Sequence, residues 1–398
     1  MGTERFTLDL AKQMQKMGHN PTVVTYDPDP SRDGFENLTK NILTKNYTCE
    51  RIPVVALKHT TPRLGFDVFD DEVEQAFKKL EITCDLVHLC HPMRLSSAAK
   101  LYKSAGVPVL MTLTDSWLLC TKAMRDNRDI LCLGPKAGDE CTLRCGARMK
   151  SRLAEARQVF DMADEVVVAS RFLSALFRSN GWNRTIRTIP HSIDYANVRR
   201  PEKHPSDQIT FAFIGTIAWH KGPQVLVKAF RKVPCRNVRL RIYGRHSPQS
   251  QFYFNRLLEL AREDDRIQFM DPFGIQSLPE VMADISAIVI PSTYYEPYPL
   301  VMLISLAYRI PPIVSNIGGM PEVVKDGLNG FLFEPGDAAQ LANIIERIAR
   351  EPRILEELRT NMVSPRRTEE EALDYENVYR RLVDRQSDDT NERTEATG

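Results

Sequence analysis

Short apolar segments alternate with helical segments along almost the whole chain. In the first half, apolar runs of strand length lie at 21–26, 51–56, 86–89, 107–113 and 165–169, and helical patterns lie at 6–17, 71–80 and 95–105. Alternation of this kind predicts parallel sheets whose strands are connected by crossover helices. The fold class predicted from this pattern is therefore α/β.

The alternation restarts beyond a polar stretch that contains two prolines. Apolar runs follow at 209–214, 238–243, 267–270, 287–290 and 312–315, with helical patterns at 224–232, 250–262 and 338–350. A chain of 398 residues is longer than a single hydrophobic core usually supports. We therefore predict two doubly wound, Rossmann-like domains. Their predicted bounds are 1–196 and 209–365, with a linker at 197–208. A helix at 366–385 is predicted to pack back, and residues 386–398 are predicted to be a disordered tail.

The beginning of the chain does not follow the usual plan of such a domain. Doubly wound domains normally open with a central strand, whereas residues 2–5 here have the character of a loop that enters the helix at 6–17. The first strand of the first domain is therefore predicted to be missing or to lie upstream.

Charge and hydropathy exclude several classes of protein. Lys and Arg number 53 against 52 Asp and Glu, so the net charge of +1 gives no indication of a nucleic-acid binder. No segment approaches the length of about 20 apolar residues that spans a bilayer, and the N-terminus lacks the pattern of a signal peptide. These features predict a cytoplasmic location. Five basic residues between 144 and 157 are read as a solvated helix face, with a peripheral contact at the inner membrane face left open: Arg144, Arg148, Lys150, Arg152 and Arg157.

Three segments of the second half carry residues suited to an anionic ligand that also offers hydroxyl groups. Gly215 ends a strand, and Lys221 follows it before a helix, where an ammonium group suits phosphate oxygens. Gly318 and Gly319 lie between a strand and a helix, in a place typical of anion binding. Glu296 lies just past the carboxyl end of a strand, where open α/β sheets bind ligands. Each segment alone is compatible with an ordinary turn or a solvated side chain, and the combination is more specific.

The most specific motif of the chain lies at 318–333 and is typical of one protein family. Its sequence is Gly-Gly-Met-Pro-Glu-Val-Val-Lys-Asp-Gly-Leu-Asn-Gly-Phe-Leu-Phe. With the three segments above, it resembles the GT-B glycosyltransferases of the retaining family GT4, also called glycosyl transferases group 1. Blocks at 85–88, 109–115, 169–172 and 189–194 are similar to family blocks, and residues 2–5 resemble the end of the family's glycine-rich opening loop. The resemblance covers roughly residues 2–382.

This resemblance implies two domains that face each other across a cleft, and a metal-independent, hexosyltransferase-like transfer from a nucleotide-diphosphate sugar to a glycan or lipid-linked acceptor, as in polysaccharide biosynthesis. Lys221 would neutralise the diphosphate and Glu296 would contact the transferred sugar, so these two are the implied catalytic residues. The implied donor-binding set is Gly215, Thr216, Lys221, Glu296, Tyr298, Pro299, Leu300, Gly318 and Gly319. The implied acceptor-side set is Gly2, Thr3, His91, Thr114 and Asp115.

Three positions depart from the family pattern. The family's second glutamate, which usually holds the ribose, is Ile304 here, the arginine that commonly follows the glycine is Thr216, and the histidine of a His-Asp pair is Thr114. Loss of a charged acceptor at the ribose would cost about 2–3 kcal/mol of donor binding. The departures leave a second hypothesis open, a catalytically weakened or silent GT-B protein that acts as a binding or scaffold subunit in glycan assembly. A phosphorylase on the same fold is a third, which would use phosphate and no nucleotide.

Four of the eight cysteines lie within a glycine-bearing insertion at 116–150: Cys120, Cys132, Cys141 and Cys145. Thiols this close in sequence are compatible with a structural Zn²⁺ site, although paired C-x-x-C motifs are lacking. Unliganded cysteines are an equally open interpretation. No obligatory cofactor is predicted.

The zinc hypothesis makes a direct prediction about the purified protein. If the four thiols form a structural site, elemental analysis should find about one Zn²⁺ per chain, because thiolate sites hold zinc tightly at neutral pH. Protein that contains the four thiols and no metal would contradict it.

Overall fold

The computed structural model describes residues 2–27, 33–61, 67–120, 132, 149–195 and 208–395. The chain forms two compact units, of which unit 1 comprises residues 1–191 and 368–398 and unit 2 comprises residues 192–367. The predicted linker at 197–208 lies, apart from residue 208, outside the described residues.

Unit 1 contains eight described strands in two sheets. The strands are β1 (Val23–Tyr26), β2 (Glu36–Asn37), β3 (Ile42–Cys49), β4 (Ile52–His59), β5 (Val87–Leu89), β6 (Val109–Leu113), β7 (Glu165–Val168) and β8 (Ile186–Thr188). One sheet has the order β1-β4-β3-β2, and the other has the order β5-β6-β7-β8 with all neighbours parallel. The described helices of this unit are α1 (Gly2–Lys16), α2 (Asp71–Leu80), α3 (Ser96–Ser104), α4 (Met149–Met162), α5 (Arg171–Ser179) and α13 (Thr368–Glu395).

The antiparallel meander β2-β3-β4 was not predicted. Strands β3 and β4 are joined by a two-residue turn, Glu50–Arg51, in which both residues have positive φ angles of 47° and 72°. Turns of this kind usually carry Asn-Gly or Asp-Gly. The sequence therefore lacked the usual signal for this hairpin.

Both ends of unit 1 are more helical than predicted. Residues 2–5, expected to be a loop, form the first turn of α1, where the Thr7 hydroxyl donates to the Thr3 carbonyl at 2.9 Å. The last helix, α13, continues to Glu395, whereas we expected a disordered tail from residue 386. No glycine or proline interrupts residues 368–395, so no residue type that ends helices stands in the way.

Helix α13 completes the core of unit 1. Tyr375 is fully buried beside Phe6 of α1, and its hydroxyl lies 3.0 Å from the Thr112 hydroxyl. The Tyr379 hydroxyl lies 2.7 Å from Nδ1 of His88. Burial lowers the pKa of His88 to about 3, so this imidazole is neutral at physiological pH. The last helix therefore supplies hydrogen-bond partners that buried polar groups of the sheet require.

Unit 2 is a single parallel sheet with helices between successive strands. Its strands are β9 (Ile209–Ile214), β10 (Val238–Tyr243), β11 (Ile267–Met270), β12 (Ala287–Ile290), β13 (Pro312–Ser315) and β14 (Phe331–Phe333). The helices are α6 (Pro223–Phe230), α7 (Gln251–Ala261), α8 (Leu278–Ala283), α9 (Leu300–Ala307), α10 (Met320–Val323), α11 (Ala338–Arg350) and α12 (Ile354–Thr360). The five strands predicted here are confirmed, and the three-residue β14 was missed.

The strand order of unit 2 positions its ligand edge. The order β11-β10-β9-β12-β13-β14 is that of the doubly wound dinucleotide-binding sheet, and it reverses direction between β9 and β12. In open sheets of this order, the loops that follow these two strands form the usual ligand site. Among the described helices of the chain, none combines the length and the apolarity that a membrane crossing requires.

Candidate functional site

Two loops of unit 2 meet at the switch point, one after β9 and one after β12. Gly222 has a φ of +75°, and a Cβ built on it would lie 1.8 Å from the carbonyl oxygen of Pro291. The Thr293 N–H donates to the His220 carbonyl at 2.8 Å. Only glycine allows this close approach of the two backbones. The approach brings Lys221 beside the residues that follow β12.

The carboxylate of Glu296 is the centre of the resulting polar network. Oε1 accepts from Nζ of Lys221 at 2.7 Å and from the Ser292 hydroxyl at 2.7 Å, and Oε2 accepts from the Tyr294 hydroxyl at 2.8 Å. Lys221 Nζ also lies 2.9 Å from the Tyr294 hydroxyl. Glu296 is 4% exposed, so its charge is balanced almost entirely by the protein.

The pKa of Glu296 follows from these contacts. Burial favours the neutral acid and would raise the pKa, but the charge of Lys221 and the donated hydrogen bonds outweigh burial and hold it below 4.5. Glu296 is therefore ionised at neutral pH. The site contains a fixed carboxylate with a partly exposed ammonium group, because 27% of the Lys221 side chain remains exposed.

The third predicted segment, the glycine turn after β13, also contacts Glu296. Gly318 has a φ of +69°, and a Cβ on it would lie 2.2 Å from the carbonyl oxygen of Glu296. The Gly319 N–H donates to the same oxygen at 2.8 Å. Gly319 belongs to the implied donor-binding set, whereas here its N–H is engaged by the protein. The helix that follows, α10, is a single turn of four residues, so its dipole is small.

The remaining predicted donor residues differ in their exposure and in their contacts. The Gly215 N–H, at the end of β9, donates to the Tyr243 carbonyl at 3.0 Å, and Thr216 is exposed. Tyr298, Pro299 and Leu300 are half-buried, with Pro299 immediately before α9 and Leu300 as its first residue.

Ser292 and Tyr294 are site residues that the sequence did not single out. Both precede Glu296 closely, and each donates to its carboxylate. The available signal was a hydroxyl-rich run directly before a buried glutamate. Hydroxyl groups are common in loops, so this signal gains meaning only when Glu296 is known to be buried.

Four of the five predicted acceptor-side residues meet in unit 1, at the carboxyl ends of the neighbouring strands β5 and β6. Nε2 of His91 lies 3.5 Å from Oδ2 of Asp115, and the Thr3 and Thr114 hydroxyls are 2.8 Å apart. Nδ1 of His91 accepts from the Met93 N–H, so in the neutral ring the proton is on Nε2, toward Asp115. The fifth, Gly2, is the first residue of α1, next to Thr3.

Asp115 is ionised in this environment. Partial desolvation opposes the charged form, but hydrogen bonding to His91 and to the Trp117 N–H holds the pKa of Asp115 below its ordinary value. About half of its side chain is exposed, which leaves the carboxylate accessible to a hydroxyl group of a ligand.

The predicted cysteine cluster and basic run are only partly described. Cys120 is buried and Cys132 is half-buried, and neither forms a disulfide, whereas Cys141 and Cys145 lie outside the described residues. Arg152, read as part of a solvated face, is 5% exposed and donates to the carbonyls of Leu118 and Trp117. The arginine is turned inward because it satisfies carbonyls of the turn after β6. It is therefore not available to a membrane surface.

Comparison with known proteins assigns the chain to a family. A family model described as Glycosyl transferases group 1 matches residues 194–367, and one described as Glycosyltransferase Family 4 matches residues 1–197. The chain belongs to this glycosyltransferase family.

Solved structures show that this chain has the GT-B fold, with two Rossmann-like domains. Sucrose-phosphate synthase from Thermosynechococcus elongatus superposes with a TM-score of 0.70 at 20% identity, over 95% of this chain and 92% of that one. HepE of Anabaena, in complex with UDP and glucose, superposes with a TM-score of 0.68 at 18% identity, over 97% and 96% of the two chains. The GT-B prediction is confirmed.

Curated relatives match part of this chain. The D-inositol 3-phosphate glycosyltransferase of Mycolicibacterium smegmatis is 33% identical over 155 residues, 38% of this chain and 35% of that protein. The protein of the same name from Actinosynnema mirum is 31% identical over 179 residues, 43% of each chain. The chain thus spans between a third and a half of the length of these relatives.

The glycine turn provides a stability test with a matched control. Gly318 and Gly327 share a φ of +69°, but a Cβ on Gly327 meets no atom within 4 Å. Gly327→Ala should therefore cost only the backbone strain of about 1–2 kcal/mol. Gly318→Ala should destabilise unit 2 by about 1–3 kcal/mol more, because its Cβ overlaps Glu296. Urea unfolding of both variants measures this difference, and equal losses would contradict the described contact.

Proposed function

We propose that the chain is a retaining, metal-independent glycosyltransferase that moves a hexose from a nucleotide-diphosphate sugar to a glycan or lipid-linked acceptor. The observation that supports this most strongly is the buried Glu296 with its Lys221 partner at the switch point of unit 2. Group-transfer enzymes need a fixed positive charge where negative charge develops on the leaving group. The ammonium group of Lys221 would supply this positive charge to the diphosphate.

The roles of the two residues follow from their contacts. The partly exposed ammonium group of Lys221 can turn toward phosphate oxygens while Ser292 and Tyr294 continue to hold Glu296. Glu296 would then accept hydrogen bonds from hydroxyl groups of the sugar. A protein cation at this position supports the proposal that no metal ion is required for departure of the diphosphate.

The acceptor class is proposed from unit 1. Asp115, ionised and half-exposed beside His91, can accept a hydrogen bond from an acceptor hydroxyl. Thr114 stands where the family has a histidine, and its hydroxyl pairs with that of Thr3. Neither contact distinguishes a glycan from a lipid-linked sugar, so both stay within the proposal.

Donor binding is the first test of this proposal. Among UDP-, GDP- and ADP-sugars at millimolar concentration, at least one should raise the melting temperature by several degrees, because a ligand at 10–100 times its Kd stabilises by roughly 1.4–2.7 kcal/mol. Lys221→Ala should weaken the binding of that nucleotide sugar by about 10- to 100-fold, because a charged hydrogen bond is lost. Release of the nucleoside diphosphate measures turnover.

Lys228→Ala is the matched control, because Lys228 is exposed on the neighbouring helix α6. Equal effects of the two lysine substitutions on donor binding would contradict the role assigned to Lys221. A chain that no nucleotide sugar stabilises would contradict the live donor site.

Ile304 favours a second candidate function, a weakened or silent binding subunit. Ile304 is half-buried on α9 and has no polar atom on its side chain to offer a ribose. Ile304→Glu should strengthen donor binding by about 10- to 100-fold if this position alone weakens the site. Ile304→Leu, which keeps the side chain apolar, should leave the affinity unchanged. If neither the natural chain nor Ile304→Glu binds any donor in a titration, the scaffold function is favoured.

A further inference from the structure

A second polar cluster lies in unit 1, at the carboxyl ends of the parallel strands β1 and β4. His59 is the last residue of β4, and 1% of its side chain is exposed. Nε2 of this imidazole lies 3.1 Å from Oδ2 of Asp70 and 3.2 Å from Oε2 of Glu72. Asp70 precedes α2, and Glu72 lies in its first turn. Three potential ligand atoms therefore converge on one point.

The Nε2 atom of His59 is buried and makes no hydrogen bond of acceptable geometry, although two carboxylate oxygens are near it. A buried nitrogen in this state is unfavourable. A positive charge placed between this nitrogen and the two carboxylate oxygens would satisfy it. Either a proton on the imidazole or a metal ion can supply this charge.

The other polar atoms of the three side chains have partners that fix their orientation. Nδ1 of His59 lies 2.8 Å from the Tyr26 hydroxyl. Oδ1 of Asp70 accepts from the N–H groups of Glu72 and Val73 at 3.1 and 3.2 Å. Oε1 of Glu72 accepts from the Asn41 amide at 2.7 Å. Partners of this kind are the outer contacts that orient metal ligands.

The two distances from the imidazole to the carboxylates match metal coordination, and the three atoms all lie within 4.8 Å of one another. Bonds of about 2.0–2.2 Å at tetrahedral or octahedral angles place neighbouring ligand atoms about 2.9–3.5 Å apart. The imidazole–carboxylate distances of 3.1 and 3.2 Å lie within that range. Glu72, 25% exposed, is the most accessible of the three side chains and marks the route of entry.

We propose that His59, Asp70 and Glu72 bind a divalent transition-metal ion of the Zn²⁺ class. One imidazole and two carboxylates suit such an ion and would give an uncharged centre. The bound ion would tie the end of β4 to the beginning of α2. This site is separate from the cysteine cluster and from the donor site of unit 2.

The test uses the full chain after removal of metal with a chelator and after alkylation of the thiols, so that cysteines contribute no ligands. Zn²⁺ should then bind with a stoichiometry of about one in calorimetry and should raise the melting temperature. Co²⁺ should give absorption bands of an imidazole–carboxylate site without the intense near-ultraviolet band of thiolate ligands.

Glu72→Gln and Glu74→Gln form the matched pair of variants. The glutamine at 72 can still accept the hydrogen bond from Asn41. The carboxylate of Glu74, on the same helix, forms an ion pair with Lys78. Glu72→Gln should weaken Zn²⁺ binding at least tenfold, and Glu74→Gln should leave it unchanged. Tyr26→Phe, which removes only the partner of Nδ1, should weaken binding by a smaller factor with the fold intact.

Equal Zn²⁺ affinity of the two glutamine variants would overturn the proposal, as would loss of all metal uptake on alkylation of the thiols. Unchanged stability of the chelated and alkylated chain on addition of Zn²⁺ would also overturn it, and would assign the cluster to a protonated imidazole. If Glu72→Gln fails to fold, the Tyr26→Phe titration decides the question in the same way.

Discussion

The ion pair between Lys221 and the buried Glu296 constrains three loops at one edge of the sheet of unit 2. A carboxylate that is 4% exposed is tolerated only while its donors remain in place. The loops after β9 and β12 must therefore stay in contact, and Gly222 is required where they touch. The turn after β13 joins the same arrangement through the carbonyl of Glu296. Three loops at one sheet edge thus share a single electrostatic centre.

The features that could be predicted from the sequence are those that a local residue pattern determines, above all the strands of unit 2. The strands of unit 2 are continuous apolar runs, because both faces of a parallel sheet are buried, and such runs are visible without any structure. Gly215, Lys221 and Glu296 follow predicted strands in the sequence, which assigned them to the carboxyl ends of those strands. Gly318 and Gly319 were recognised as a glycine pair between a strand and a helix. Lys221, Glu296 and the Gly318–Gly319 turn therefore meet in the structure, because the topology brings these strand ends together.

What the sequence could not predict depends on partners far apart in the chain or on unusual local geometry. The hairpin at Glu50–Arg51 has positive φ angles at residues that rarely adopt them. The partners of Asp70 and Glu72 come from β4 and from the loop before β3, so the cluster around His59 has no compact motif. Gly319 was predicted to bind a ligand, yet its N–H donates to the carbonyl of Glu296, which is distant in sequence and close in space.

The position of α13 has a practical consequence for dissecting the protein. Unit 2 is one continuous stretch of chain, whereas unit 1 is assembled from two stretches that flank it. A fragment that stops at residue 191 would leave an apolar cavity in place of Tyr375, and would remove one hydrogen-bond partner each from the Thr112 hydroxyl and the His88 imidazole. Expression of unit 1 by itself therefore calls for a circular rearrangement or a short splice in place of residues 192–367.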